Sequence, residues 1–239
     1  MEKYTSESSY SYILGISLTI EALQQVPSLL EKIYLSSAVN KNEQYDKLIA
    51  LAWGHQIPLI EDEKTIRSLS VKENCYGIGV FKKFKRPLST NKHIVLYDFN
   101  DFGELGTIMR SAAAFDFHDI VLIAPQVDYF DPRVIRASMG AIFHMNVAVY
   151  DSLKAYQQDY DLPLLPFVGD GKKELRELKP LSSYAILIPQ KYHQLDGQFK
   201  NGLYLDHKGD EISLSALSSI VFNYFFHQSA GDKNSSDRV

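Results

Sequence analysis

From residue 93 onward the chain repeats one pattern: a short, uninterrupted apolar run, then a stretch with helical spacing. The runs are "HIVLYDF", "DIVLIAP", "VAVYD", "LPLLPFV", "YAILIP" and "GLYLD". Between them lie "TIMRSAAAFDF" and a helix starting at Pro132 with Asp131 as its cap. A strand with one wet face alternates apolar and polar residues, so a continuous apolar run marks a strand covered on both faces. Alternation with helices then predicts an α/β fold built on a parallel sheet. Ligands of such sheets sit beyond the carboxyl ends of the strands, which directs attention to the loop expected at 99–106. The pattern closes with a buried helix, "SLSALSSIVFNYFFHQ".

The first part of the chain is a smaller α/β unit. "SLTIEALQQVPSLL" and "QYDKLIALAWGHQ" have helical spacing, "KIYLSS", "IPLI" and "YGIGVFKKF" read as strands, and "DEKTIRSLS" is a short capped helix. "KRPLSTNK" combines charge, Pro, Ser and Asn, the composition of a linker. The expected partition is therefore a small domain over 1–85, a linker over 86–92, the parallel-sheet domain over 93–229 and a disordered tail over 230–239.

Composition excludes several classes. A single cysteine, Cys75, leaves no internal disulfide and no cysteine-based metal cluster, and the seven histidines form no HExxH-type pair, so no metal is expected. No apolar run approaches the roughly 18 residues of a membrane span. The start "MEKYTSESSYSY" is too polar for a signal peptide, which makes a cytoplasmic address the expectation. With a net charge of −4, any nucleic-acid contact must come from local patches.

Three stretches carry residues suited to chemistry. In "ELGTIMR", Gly103 and Gly106 allow close backbone approach and Arg110 follows about one turn into the expected helix. In "DPRVIRASMGAIF", Arg133 and Arg136 are three apart and share a face, a spacing suited to phosphate, while Ala137, Ser138, Gly140 and Ala141 permit close packing. In "SLSALSS", Ser213 and Ser215 fit a helix entrance. Each stretch also has an ordinary structural reading: a solvated arginine face, a small-residue packing contact, a buried final helix. The basic runs "FKKFKR", with Lys82, Lys83, Lys85 and Arg86, and "GKKELRELK" are candidate RNA contacts, the first with Phe81 and Phe84 interleaved for stacking.

Taken together these stretches resemble the SpoU (TrmH-like) family of the SPOUT class of RNA methyltransferases. "ELGTIMR" is similar to the family's Asn-Leu-Gly-x-x-x-Arg motif, with Glu104 in place of Asn, and "DPRVIRASMGAIF" matches its second motif. "SLSA" partly matches a Ser-Leu-Asn helix entrance, with Ser215 in place of Asn. "YILGISLTIEAL" and "YGIGVF" look like the opening and closing of the family's substrate-binding domain. The resemblance implies a knotted parallel-sheet domain that binds S-adenosylmethionine as a homodimer and methylates the ribose 2′-hydroxyl of structured tRNA or rRNA. It implies a catalytic role for Arg110, with Glu104 and Ser215 beside it, and a donor site at Pro189, Leu205, Gly209, Leu214 and Gly140. It also implies RNA contacts at Arg133, Arg136, Lys82, Lys83, Lys85 and Arg86.

The chain departs from the family pattern at the donor site. "PQKYHQLDG" stands where a Gly-x-Glu-Gly loop is expected, placing Pro189, Lys191 and Tyr192 at small or acidic positions, and "LDH" at 205–207 replaces Ile-Pro-Met. Glu104 is free to pair with Arg110 and occupy it. Three readings follow: a methyltransferase with a divergent donor pocket, a catalytically inactive family member that binds RNA or the ribosome as a dimer, and a dimeric interaction protein with no RNA role.

Overall fold

The computed structural model describes residues 3–70, 74–208 and 212–231. In chain order its elements are β1 (Tyr10–Leu14), α1 (Ile16–Gln25), β2 (Leu30–Leu35), α2 (Glu43–Gly54), β3 (Leu59–Glu61), α3 (Glu63–Leu69) and β4 (Gly77–Lys82). Then come β5 (Lys92–Tyr97), α4 (Phe102–Ala114), β6 (Asp119–Ile123), α5 (Pro132–Ala137), β7 (Asn146–Tyr150), α6 (Leu153–Asp159) and β8 (Leu164–Pro166). The last are β9 (Lys173–Glu174), β10 (Tyr184–Pro189), β11 (Leu203–Tyr204) and α7 (Leu214–Gly231). Of the tail expected at 230–239, all beyond residue 231 lies outside the described residues.

The chain divides into two compact units, the first holding residues 1–84 and 128–144 and the second residues 85–127 and 145–239. The first unit contains a sheet in the order β1-β4-β2-β3, antiparallel except for the β2/β3 pair. The expected partition kept 128–144 with the later strands, and the structure differs for a packing reason. Phe130, Ile135, Ile142 and Phe143 are buried in one core with Leu18, Leu23, Ile33, Leu48 and Phe81. Polar contacts add to this: Ser11 Oγ donates to the Phe130 carbonyl, and Lys83 Nζ reaches Asp128 Oδ2 at 2.7 Å. Pro132 begins α5 with Asp131 as its cap, the side chain accepting the Arg133 N–H at 2.8 Å.

The second unit is the parallel α/β sheet expected from the apolar runs, in the order β7-β6-β5-β10-β8 with every pair parallel. All five residues of β6 and all six of β10 are buried, which is why neither alternates with polar residues. α4 packs against α7, with Phe117 on Phe222 at 5.4 Å between ring centres. Asp119, fully buried at the start of β6, ties three segments together. It accepts the Ser89 and Thr90 backbone N–H groups, the latter at 2.6 Å, and the Asn146 side-chain amide at 2.7 Å. Burial pushes its carboxyl up, but these hydrogen bonds outweigh burial and hold it below the usual range.

Candidate functional site

At the carboxyl ends of β5 and β10 the second unit opens into a cleft of about 810 Å³, lined by Glu104, Gln190 to His193, Leu205, His207 and Ile212 to Leu214, with Leu217 behind. Its position follows from the parallel sheet: the chain leaves β5 at Tyr97 and β10 at Pro189 on the same side, and the Gln190 N–H closes on the Tyr97 carbonyl at 2.9 Å.

The first wall is the entrance of α4, which begins earlier than the glycines suggested. Asp101 caps it, accepting the Glu104 N–H at 2.7 Å, so Phe102 to Gly106 are helix rather than a ligand-binding loop. Asp101 and Glu104 have the spacing of a capping box, and a carboxylate in the first turn suits the helix dipole. Gly106 is buried inside the helix. Arg110 consequently stands in the third turn, exposed and outside the cleft of its own chain. The Glu104–Arg110 pair that the sequence left open does not form: six residues along a helix put two side chains roughly 120° apart around the axis. Glu104 Oε2 instead accepts Gln190 Nε2 at 2.7 Å, and the Asn100 N–H reaches Gln190 Oε1 at 3.3 Å. Gln194 Nε2 donates to Asp98 Oδ2 at 2.7 Å, so the loops after β5 and β10 are stitched together twice.

The second wall is the loop after β10. Pro189 is the buried last residue of the strand, paired with Tyr97. Tyr192 is half-buried, and burial raises its phenol against the opposing pull of the Leu205 backbone, so it stays protonated near neutral pH. His193 Nδ1 lies 2.7 Å from Asp196 Oδ2. The third wall is the start of α7, where Ser213 Oγ accepts the Ala216 N–H at 3.3 Å as the cap and Ser215 Oγ lies 3.3 Å from it. Leu205, Ile212, Leu214 and Leu217 give this side an apolar surface.

Of the donor-site residues expected from the sequence, the cleft gathers Leu205 and Leu214, with Pro189 one residue before its lining; of the expected catalytic residues, Glu104 is on its wall. Gly209 lies outside the described residues. Gly140 belongs to the first unit, where a φ of +85° and a Glu21 Cγ that would stand 2.9 Å from any Cβ account for a glycine. Missed by the sequence reading were Gln190 and the His193–Asp196 pair; a histidine three residues before an aspartate in a loop was the only signal.

The candidate RNA residues divide by how engaged they are. Arg133 forks onto Asp131 through Nε at 2.9 Å and Nη2 at 2.8 Å while its side chain remains 64% exposed. Lys83 is 15% exposed, bound to Asp128 and to the Ser6 carbonyl. Lys82, Lys85 and Arg136 are exposed, and Arg86 is half-buried. The stacking role expected for Phe81 and Phe84 is overturned: Phe81 is fully buried in the core of the first unit, and Phe84, two residues beyond β4, packs edge-on against Phe130 at 5.1 Å on the same core. Among the described residues no helix is long and apolar enough to cross a membrane, and no group of three His, Cys, Asp or Glu is arranged to hold a metal.

Residues 91–188 match the SpoU rRNA Methylase family. "Ribosomal RNA small subunit methyltransferase G 2" of Syntrophobacter fumaroxidans is 33% identical over 86 residues, 36% of this chain and 17% of that protein. "rRNA methyltransferase 3B, mitochondrial" of Danio rerio is 29% identical over 130 residues, 54% of this chain and 26% of that protein. The matches thus span about a quarter or less of these relatives. The crystal structure of the SpoU methyltransferase AviRb from Streptomyces viridochromogenes, in complex with AdoMet, superposes with a TM-score of 0.78 at 12% identity, covering 93% of this chain and 92% of that one. Residues 91–188 carry the match to the SpoU rRNA methylase family, and the chain takes the α/β fold of solved SpoU methyltransferases.

Proposed function

We propose that this chain is an RNA 2′-O-ribose methyltransferase whose rebuilt donor pocket is the cleft of the second unit, acting as a knotted homodimer on structured tRNA or rRNA. The observation that carries this reading is the cleft. Its volume of about 810 Å³ suits a nucleoside-sized ligand, and it combines an apolar side with a few convergent polar groups. Leu205, Ile212, Leu214 and Leu217 would cover an adenine, and the Glu104 carboxylate would favour a cationic sulfonium. The residues present therefore fit S-adenosylmethionine, which when bound supplies an electrophilic methyl group to a ribose 2′-hydroxyl. Lys82, Lys85, Arg86 and Arg136 would meet the RNA backbone, with Arg133 sharing its charge between Asp131 and a phosphate.

One contact favours a second reading, an RNA-binding dimer without methyl transfer. The Glu104–Gln190 hydrogen bond links the start of α4 to the loop after β10, where a donor has to enter. The two readings divide on product. The purified chain is incubated with S-adenosylmethionine and total tRNA or ribosomal RNA, and digested nucleosides are analysed by mass spectrometry. New 2′-O-methylribose supports the first reading; salt-dependent RNA binding without product supports the second.

A further inference from the structure

The chain leaves β5 through Asp98, whose φ of +57° lies in the left-handed region. Aspartate takes that conformation more readily than most residues, but glycine takes it at less cost. What the aspartate adds is a carboxylate with partners from two other loops. Oδ2 accepts Gln194 Nε2 at 2.7 Å, from the loop after β10, and Oδ1 accepts Gln126 Nε2 at 3.3 Å, from the loop after β6. The backbone is held as well: the Asp98 N–H donates to the Ile123 carbonyl at 2.9 Å, and the Gln126 N–H donates to the Phe99 carbonyl at 2.8 Å. All of these groups lie in the second unit. One carboxylate thus joins three loops at the end of the sheet where the cleft opens.

Gln194 carries this hold into the cleft wall. Its Oε1 accepts the Lys191 N–H at 3.4 Å, and its own N–H donates to the Lys191 carbonyl at 2.9 Å, closing a turn over 191–194. Lys191, Tyr192 and His193, all within that turn, line the cleft. An ionised carboxylate only accepts, so it directs the Gln194 NH₂ toward Asp98 and leaves the amide oxygen for the Lys191 N–H. The turn is held from two sides: the Gly169 N–H, beyond β8, donates to the Tyr192 carbonyl at 3.2 Å, and the Gln194–Asp98 bond ties it to the end of β5. Asp98 itself is not among the residues that line the cleft, so it acts through Gln194.

We propose that Asp98 is a positioning residue of the cleft: by holding Gln194 it keeps the wall at 191–194 in the arrangement that takes S-adenosylmethionine. This rests on the methyltransferase reading above. A wall ordered in advance spares the donor the ordering it would otherwise have to supply on binding. A left-handed backbone at a residue other than glycine persists where its surroundings fix it, and here those surroundings are the loops of the cleft.

The discriminating substitution is Asp98→Gly, which relaxes the backbone and removes the carboxylate together. Hydrogen exchange of the full chain, without ligand, comes first. The Lys191 and Gln194 amides keep their own acceptors in this variant, so faster exchange there reports the lost hold. The expected result is exchange about tenfold faster at those two amides, with the amides of β10 unchanged and the unfolding midpoint not lowered. Unchanged exchange at 191–194 overturns the proposal, and so does a lowered midpoint with faster exchange throughout β10, which is the mark of a purely structural role. Calorimetry follows. Asp98→Gly and Gln194→Ala are each expected to bind S-adenosylmethionine about tenfold more weakly than wild type, the loss of one hydrogen bond to a charged group. Asp98→Asn suits the same backbone and keeps an acceptor for Gln194, so it should stay within about threefold of wild type. Donor affinity unmoved in Asp98→Gly overturns the proposal, as does an Asp98→Asn variant as weak as Asp98→Gly. Absence of donor binding in wild type overturns the methyltransferase reading itself, while the exchange result, read without donor, still decides whether Asp98 holds the wall.

Discussion

Replacing Asp119 by Ala removes the acceptor that holds the entrance of β5 against β6 and β7. Three strong donors and one weak one lose it: the Ser89 N–H, shared between the two carboxylate oxygens at 3.1 and 3.0 Å, the Thr90 N–H at 2.6 Å and the Asn146 amide at 2.7 Å, with the Ser89 hydroxyl more distant at 3.4 Å. Hydrogen bonds to a charged group contribute about 1.5–3 kcal/mol each. Ser89 and Thr90 are exposed, so water replaces part of what is lost. The expected destabilisation of the second unit is therefore about 3–5 kcal/mol, less than the sum of three bonds, and its midpoint falls by roughly 6–20 °C at about 2–4 °C per kcal/mol. The effect depends on pH with a definite sign. The folded carboxyl is depressed below its unfolded value of about 3.9, so its contribution is complete above that value and is lost as pH falls through the folded one. Urea unfolding of wild type and Asp119→Ala should show the full gap at pH 7 and a shrinking gap below about pH 4. A gap under ~1 kcal/mol at pH 7, or one that persists unchanged into acid, refutes the reasoning.

Gly169→Ala puts a methyl group 1.9 Å from Nδ1 of His193 and should displace the ring and break the His193–Asp196 contact; nitrogen-15 NMR of the histidine rings should show the His193 signals shifted, and unchanged signals contradict the packing argument. Lys82→Ala and Lys85→Ala, both exposed, should each lower the slope of log affinity against log salt for structured RNA by about one, measured by filter binding, with no change in unfolding midpoint. Phe81→Ala should cost about 3–5 kcal/mol of stability in thermal or urea unfolding, since the ring is in the core of the first unit; a folded, stable variant with only weaker RNA binding would restore the stacking role.

The parallel sheet was legible because β6 and β10 are buried on both faces, and the apolar runs that record this burial are local in sequence. The place of the cleft followed from strand direction. The start of α4 was obscured because Gly103 and Gly106 imitate a loop, although the Asp101/Glu104 capping box was present in the residues themselves. The attachment of 128–144 to the first unit depends on which core receives Phe130, Ile135 and Phe143, a tertiary choice that periodicity does not encode. Of the residues that line the cleft, Leu205 and Leu214 were named through motif resemblance. Gln190 and Asp196 were missed because their partners, Glu104 and the residue-170 backbone, lie 86 and 26 residues away.

The central claim is that the second-unit cleft takes S-adenosylmethionine, and calorimetry on the purified chain tests it most directly, paired with a thermal shift because a ligand bound only by the native state must stabilise it. The account predicts micromolar binding and a raised midpoint, both abolished by Leu205→Arg and Leu214→Arg, with circular dichroism establishing that the variants are folded. No heat and no shift at millimolar donor would contradict it, and would leave the fold with an RNA-binding role alone.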